Sequence, residues 1–192
     1  FYIFDHYGNF DYFEQEYQEV EESLSKSMLQ QLFEARLVLV ESALKLNHRE
    51  GFDIATALIR ADINDLPQAS ISVKKQLRNI HKLQQTDALS TMDSTTLHLL
   101  RGTLASLMGS RVLRDRDAIA FDRLVADLQV CVIEQASCQQ ELEVELLSQL
   151  DRLAITIQAV RQKDKVIDTV RSAAFWQSIT VKDLEWARTE LR

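Results

Sequence analysis

Residues 115–135 read DRDAIAFDRLVADLQVCVIEQ. Ile119, Phe121, Leu124, Leu128, Cys131 and Val132 recur at helical spacing. Asp115 and Asp117 fall in the first turn, where carboxylates complement the positive end of the helix dipole. Ala118, Ala120, Val125, Ala126, Val130 and Ile133 make the segment apolar almost all round. A helix with so little polar face is expected at the centre of a fold, covered by neighbours on several sides.

Outward from that segment, composition argues for the same class. The chain has 192 residues, 46% hydrophobic and 27% charged, enough for one good core or two small ones. Only four glycines and one proline punctuate it, so turns are few and helices long. We therefore expect an all-α, multi-helix bundle of about six to eight helices with a short orphan strand at the N-terminus. No run approaches the roughly 18 apolar residues of a membrane span. No signal-peptide pattern is present, and a cytoplasmic setting without membrane contact is expected. The chain opens on Phe1 rather than Met, and a piece of a longer protein is expected.

Charge is unevenly spread. Residues 1–66 carry 13 Asp and Glu against 5 Lys and Arg, whereas residues 67–192 carry 16 against 17. The acidic front would repel nucleic acid, so only a local basic patch in the rear could meet phosphates. Cys131 and Cys138 are the only cysteines. On a single helix, a rise of about 1.5 Å per residue would hold them roughly 10 Å apart. That is too far for a disulfide, and two reduced thiols are expected.

In chain order, Phe1–Phe4 alternates as one strand, and with Tyr7, Phe10, Tyr12, Phe13 and Tyr17 it forms an aromatic connector over residues 1–18. Asp11, Glu14 and Glu16 interleave the aromatics and oppose a base-stacking role. Residues 19–192 are then one helical domain. A long helix is expected over 19–47, a break at Gly51, and a shorter helix over 52–63, ended before Pro67. A helix over 70–83 turns Ile71, Leu77 and Ile80 inward. Lys74, Lys75, Arg78 and Lys82 line another of its faces and are the candidate nucleic-acid-binding residues. The alternative is an ordinary solvated face, or one that meets the acidic front. A polar stretch over 84–94 leads to Ser94, a cap for a helix over 95–108 ended by Gly109. Arg111, Arg114 and Arg116 form a second small basic cluster. Beyond the central helix, Ser137 or Cys138 opens a helix with a Leu142, Leu146 or Leu147, Leu150, Leu153, Ile157 stripe. A polar stretch over 161–165 precedes a segment over 166–176. Thr180 and Asp183 match a capping box, with Ile179 and Leu184 as its hydrophobic staple.

The sequence carries no signature of catalytic chemistry. There is no G-x-x-x-x-G-K-[ST] phosphate loop and no G-x-S-x-G elbow. His6, His48, His81 and His98 lack metal-ligand spacing with the cysteines. Asp115, Asp117 and Asp122 could be imagined around magnesium, but dipole complementation accounts for the first two. No catalytic, cofactor-binding or metal residue is assigned.

Three stretches do carry a resemblance. FYIFDHYGNFDYFE resembles the segment that closes the second RecA-like motor lobe of DEAD/DEAH-type restriction subunits. DAIAFDRLVADLQVCVIE resembles their Phe-Asp-x-Leu, Leu-Gln helix, and FWQSITVKDLEWARTELR their Phe-Trp, Thr-Val, Leu-Glu and Arg–Leu-Arg pattern. The stretches cover about a third of the chain, in family order. The chain thus resembles the C-terminal part of the motor and endonuclease (R) subunit of type I restriction-modification enzymes. The resemblance implies a parent with a nuclease domain, two ATP-driven translocating lobes and a helical domain. ATP and magnesium belong to that parent, a type I site-specific deoxyribonuclease, and no cofactor belongs to this fragment. The implied partners are the methyltransferase (modification) and specificity subunits, with DNA met through the whole complex. A direct DNA-contacting domain, or a helical accessory domain of another DEAD/DEAH helicase, are the alternative readings.

Overall fold

The computed structural model describes residues 26–85, 87–153 and 158–192. The expected orphan strand and aromatic connector lie outside them, as does Ile157. The described residues form an all-α bundle. Its segments are α1 (Met28–Lys45), α2 (Arg49–Asn64), α3 (Ile71–Lys75), α4 (Leu77–Gln85), α5 (Ala88–Thr91) and α6 (Ser94–Leu99). A π-helical turn (Leu100–Leu104), α7 (Ala105–Leu107) and a 3₁₀ turn (Met108–Ser110) continue α6. Then follow α8 (Arg116–Glu134), α9 (Gln139–Asp151), α10 (Gln158–Arg161), α11 (Asp164–Arg171), α12 (Ala173–Gln177) and α13 (Val181–Leu191). The segments outnumber the six to eight expected because several expected helices are divided into shorter pieces.

The segment over 115–135 is central, as its apolar girth requires. Asp115 caps α8 by accepting from the Ala118 N–H at 2.9 Å, and Gln135 closes it in the left-handed region at φ 52°. α8 packs against α1, α9 and α13, and α1 packs in turn against α2. Two apolar clusters result. The first joins Phe33, Leu37, Val40, Ile59, Ile80, Leu100 and Met108 with Ile119 and Ile133 of α8. The second joins Leu124, Val125 and Leu128 of α8 with Leu146, Leu150, Val170, Trp176, Leu184 and Ala187.

Several expectations need correction. α1 begins at Met28, after Ser27 accepts a hydrogen bond from the Gln30 N–H at 3.2 Å. The expected start near Glu19 lies outside the described residues. The chain reverses at Asn47, φ 52°, not at Gly51. Gly51 sits inside the first turn of α2, where an added β-carbon would lie 2.6 Å from Ile133 Cδ1. Its lack of a side chain serves the close approach of α2 to α8. The helix expected over 70–83 divides at Gln76; Ile80 is buried as expected, but Ile71 is 76% exposed, and Val73 and Leu83 are buried beside Ile80. The stretch over 84–94 holds α5, whose Leu89 is buried, and Asp93 rather than Ser94 caps α6, accepting from Thr96 N at 2.7 Å. Leu153 ends its stripe exposed.

The cysteines are the largest correction. Cys131 and Cys138 form a disulfide with a Cα–Cα distance of 6.2 Å. The expected separation assumed one continuous helix. α8 instead ends at Gln135, the chain doubles back, and Cys138 stands at the start of α9. The capping box at the other end of the chain forms as read, with Thr180 and Asp183 exchanging hydrogen bonds of 2.9 and 3.2 Å.

Candidate functional site

Charged side chains placed on apolar stripes are the unusual feature of the core. Arg36 falls in the Leu32, Phe33, Leu39, Val40 face of α1, and Asp62 shares a face with Ala55, Ile59 and Ile63 in α2. Asp122 lies between Ile119 and Ala126 on the buried side of α8. All three are buried, Asp122 to 1% exposure. Burying a lone charge is prohibitive, so each must find partners.

They find one another. Arg36 donates to Asp62 and reaches Asp122 at 3.4 Å. Arg111, from the connector before α8, donates to Asp62 at 2.7 Å and to Asp65 at 2.8 Å. Arg188 of α13 reaches Asp122 at 3.5 Å, and Arg192, the residue after α13, reaches it at 2.6 Å. Arg188 is also held by Glu185 at 2.7 Å, and that hydrogen bond, with Asp122 beside it, raises its pKa further above the ordinary arginine value. Four arginines thus interleave with Asp62, Asp65 and Asp122. The network ties α1, α2, α8 and α13 at the seam between the two apolar clusters.

Such a network can orient helices; it offers no reactive group. Every carboxylate oxygen of Asp62 and Asp122 faces a guanidinium. Asp122 is therefore engaged by cations and is no magnesium ligand alongside Asp115, which caps α8, and Asp117. Among the described residues, no cluster of three or more His, Cys, Asp and Glu side chains is arranged to hold a metal ion.

The predicted basic face sits elsewhere. Lys74, Lys75, Arg78 and Lys82 are all exposed, the first two on α3 and the others on α4. The break at Gln76 divides the face but does not bury it. Lys82 lies near Asp93, whose pKa is lowered mainly by its hydrogen bonds from Thr96 and slightly by Lys82. No ion pair within 4.0 Å engages Lys74, Lys75 or Arg78 among the described residues. Between Asp65 and Asp87 the sequence has no acidic residue. Of the second basic cluster, Arg114 and Arg116 are exposed, while Arg111 belongs to the ion network.

An open cleft of about 400 Å³ runs beside α8, lined by Met28, Ile119, Arg123, Asp127, Leu142 and Glu145 among others. Burial raises the Asp127 pKa; Arg123 opposes that shift and Glu145 adds to it. Its lining holds two carboxylates, Asp127 and Glu145, and no histidine or cysteine.

The ion network was missed by sequence reasoning. Its partners stand 26 to 86 residues apart, beyond any local pattern. The one available signal was the intrusion of Arg36, Asp62 and Asp122 into apolar stripes. No helix of the described residues is long and apolar enough to cross a membrane. No protein-family model matches this chain, and no curated protein or solved structure matches it.

Proposed function

We propose that this chain is the helical coupling domain of a type I restriction motor subunit, with no catalysis of its own. It would join the ATP-driven DNA motor to the methyltransferase core, in a complex that also holds the specificity subunit. ATP and magnesium would act on the parent's motor lobes. The observation that carries the reading is a meeting of motifs. Asp122 comes from the Phe-Asp-x-Leu stretch, and Arg188 and Arg192 come from the Arg–Leu-Arg stretch. Two of the three stretches that bear the resemblance are bonded to each other at the seam of the bundle.

The mechanism is mechanical. A module that transmits force must keep its helices in register under load. Apolar packing alone is weakly directional, whereas charge-assisted hydrogen bonds fix orientation. The network pins α13, the last described helix, to α8 and through Arg36 to α1. A cytoplasmic setting goes with this reading, and there the Cys131–Cys138 pair would meet thiol-reducing systems.

The test is association. The chain, expressed with modification and specificity subunits, is expected to co-purify with them, and a clean failure to associate would count against the reading. The acid-free run around Lys74, Lys75, Arg78 and Lys82 favours a second reading, direct contact with DNA. Salt-sensitive binding of duplex DNA by the chain would support it, and its absence at low salt would reject it.

A further inference from the structure

Val112 and Ile71 are the two most exposed large apolar side chains among the described residues, at 78% and 76%. The segments that carry them adjoin. Ser72, next to Ile71 at the start of α3, lies with its hydroxyl 3.1 Å from that of Ser110, two residues before Val112. Leu113 adds a third exposed apolar group. Lys74, Lys75 and Arg114, all exposed, flank these three on the same two segments. A surface of this composition suits a partner that brings apolar side chains and carboxylates together.

The chain carries such a partner beside the patch. Residues 1–25 hold seven carboxylates, all four tyrosines and four phenylalanines, with no lysine or arginine. They join the described structure at Lys26 and Ser27. A β-carbon at Gly109, the neighbour of Ser110, would lie 3.3 Å from Ser27 Oγ. The acidic, aromatic segment is thus tethered at the edge of the basic, apolar patch. We propose that residues 5–22 dock on the surface formed by Ile71, Lys74, Lys75, Val112, Leu113 and Arg114. Aromatic side chains cover Ile71, Val112 and Leu113, and the carboxylates answer the three cations. Tethering favours this occupant over a free one, because a short link gives an effective concentration on the order of millimolar. Nucleic acid would neutralise the cations but leave the apolar groups uncovered. The inference does not depend on the coupling function above.

A photo-cross-linking residue, benzoylphenylalanine, in place of Val112 in the full chain tests it. Val112 is exposed, so the replacement leaves the core intact, and retained far-UV helicity verifies this. Irradiation of the dilute chain is expected to give an intrachain product mapping, by mass spectrometry, to a peptide within residues 1–25. Adding Lys74→Glu, Lys75→Glu and Arg114→Glu together is expected to lower its yield at least fivefold. The same probe at exposed Val144 on α9 is expected to give no such product. Absence of an intrachain product from Val112, equal yield from Val144, or products joining two copies of the chain would overturn the proposal. So would duplex DNA capturing the probe in place of the N-terminal peptide.

Discussion

Asp122 is answered by three arginines, and that dictates how its replacement should behave. Alanine removes the shared acceptor and leaves Arg36, itself 3% exposed, short of one of its two carboxylates. Breaking a buried ion pair from one side costs about 3–5 kcal/mol. Asp122→Ala is expected to lose that much in urea unfolding, and Asp122→Asn nearly as much, because shape without charge leaves the guanidiniums uncompensated. Lys182→Ala is the control: its bridge to Glu50 lies in water, with both side chains at least half exposed, and is expected to cost less than about 1 kcal/mol. Thr56 gives a change of opposite sign. Its hydroxyl is buried in α2 and finds no hydrogen-bond partner among the described residues. Thr56→Val keeps the shape and removes the unsatisfied group, so a gain of about 1 kcal/mol is expected in the same unfolding measurement.

Among elements, the join between α8 and α9 is the most informative. The disulfide closes the reversal that Gln135 begins, linking positions seven residues apart in sequence. A closed loop this short stabilises by about 2–3 kcal/mol in the chain-entropy view. Iodoacetamide applied without reductant is expected to label neither cysteine, and reduction is expected to lower the urea midpoint. In Cys138→Ser, reductant should have no effect on that midpoint. The same join marks the limit of what sequence reading could reach. The extent of α8 was legible from the helical spacing of its apolar residues, although Asp115, read as part of the first turn, is its cap. The sense of the turn after Gln135 was not, since a non-glycine residue in the left-handed region leaves no compositional mark. The break at Gln76 was likewise hidden, with neither glycine nor proline beside it. Gly51 misled for the opposite reason: it answers packing against Ile133 and not a turn. The basic face of α3 and α4 was legible because exposure follows local spacing. The ion network was not, because its pairings are tertiary.

At the scale of the whole molecule, the question is whether two apolar clusters make one cooperative unit. α8 gives Ile119 and Ile133 to the first and Leu124, Val125 and Leu128 to the second, and Val132 packs on both. α13 also divides, with Val181 in the first cluster and Leu184 and Ala187 in the second. Two shared helices and the network at their crossing oppose independent melting. Both tryptophans lie in the second half, Trp176 buried in the second cluster with its indole N–H donating to the Val170 carbonyl at 2.7 Å. Tryptophan fluorescence therefore follows the second cluster, while far-UV ellipticity follows every helix. For the native chain the two signals are expected to change together through the urea transition, as two-state behaviour requires. In Asp122→Ala the ionic ties of Arg188 and Arg192 to α8 are lost, although both apolar clusters keep their side chains. The smaller second cluster should then loosen first, with the fluorescence midpoint preceding the ellipticity midpoint. Coincident midpoints in that variant would mean that apolar packing along α8 alone unites the molecule, and that the arginine–aspartate network contributes stability without coupling.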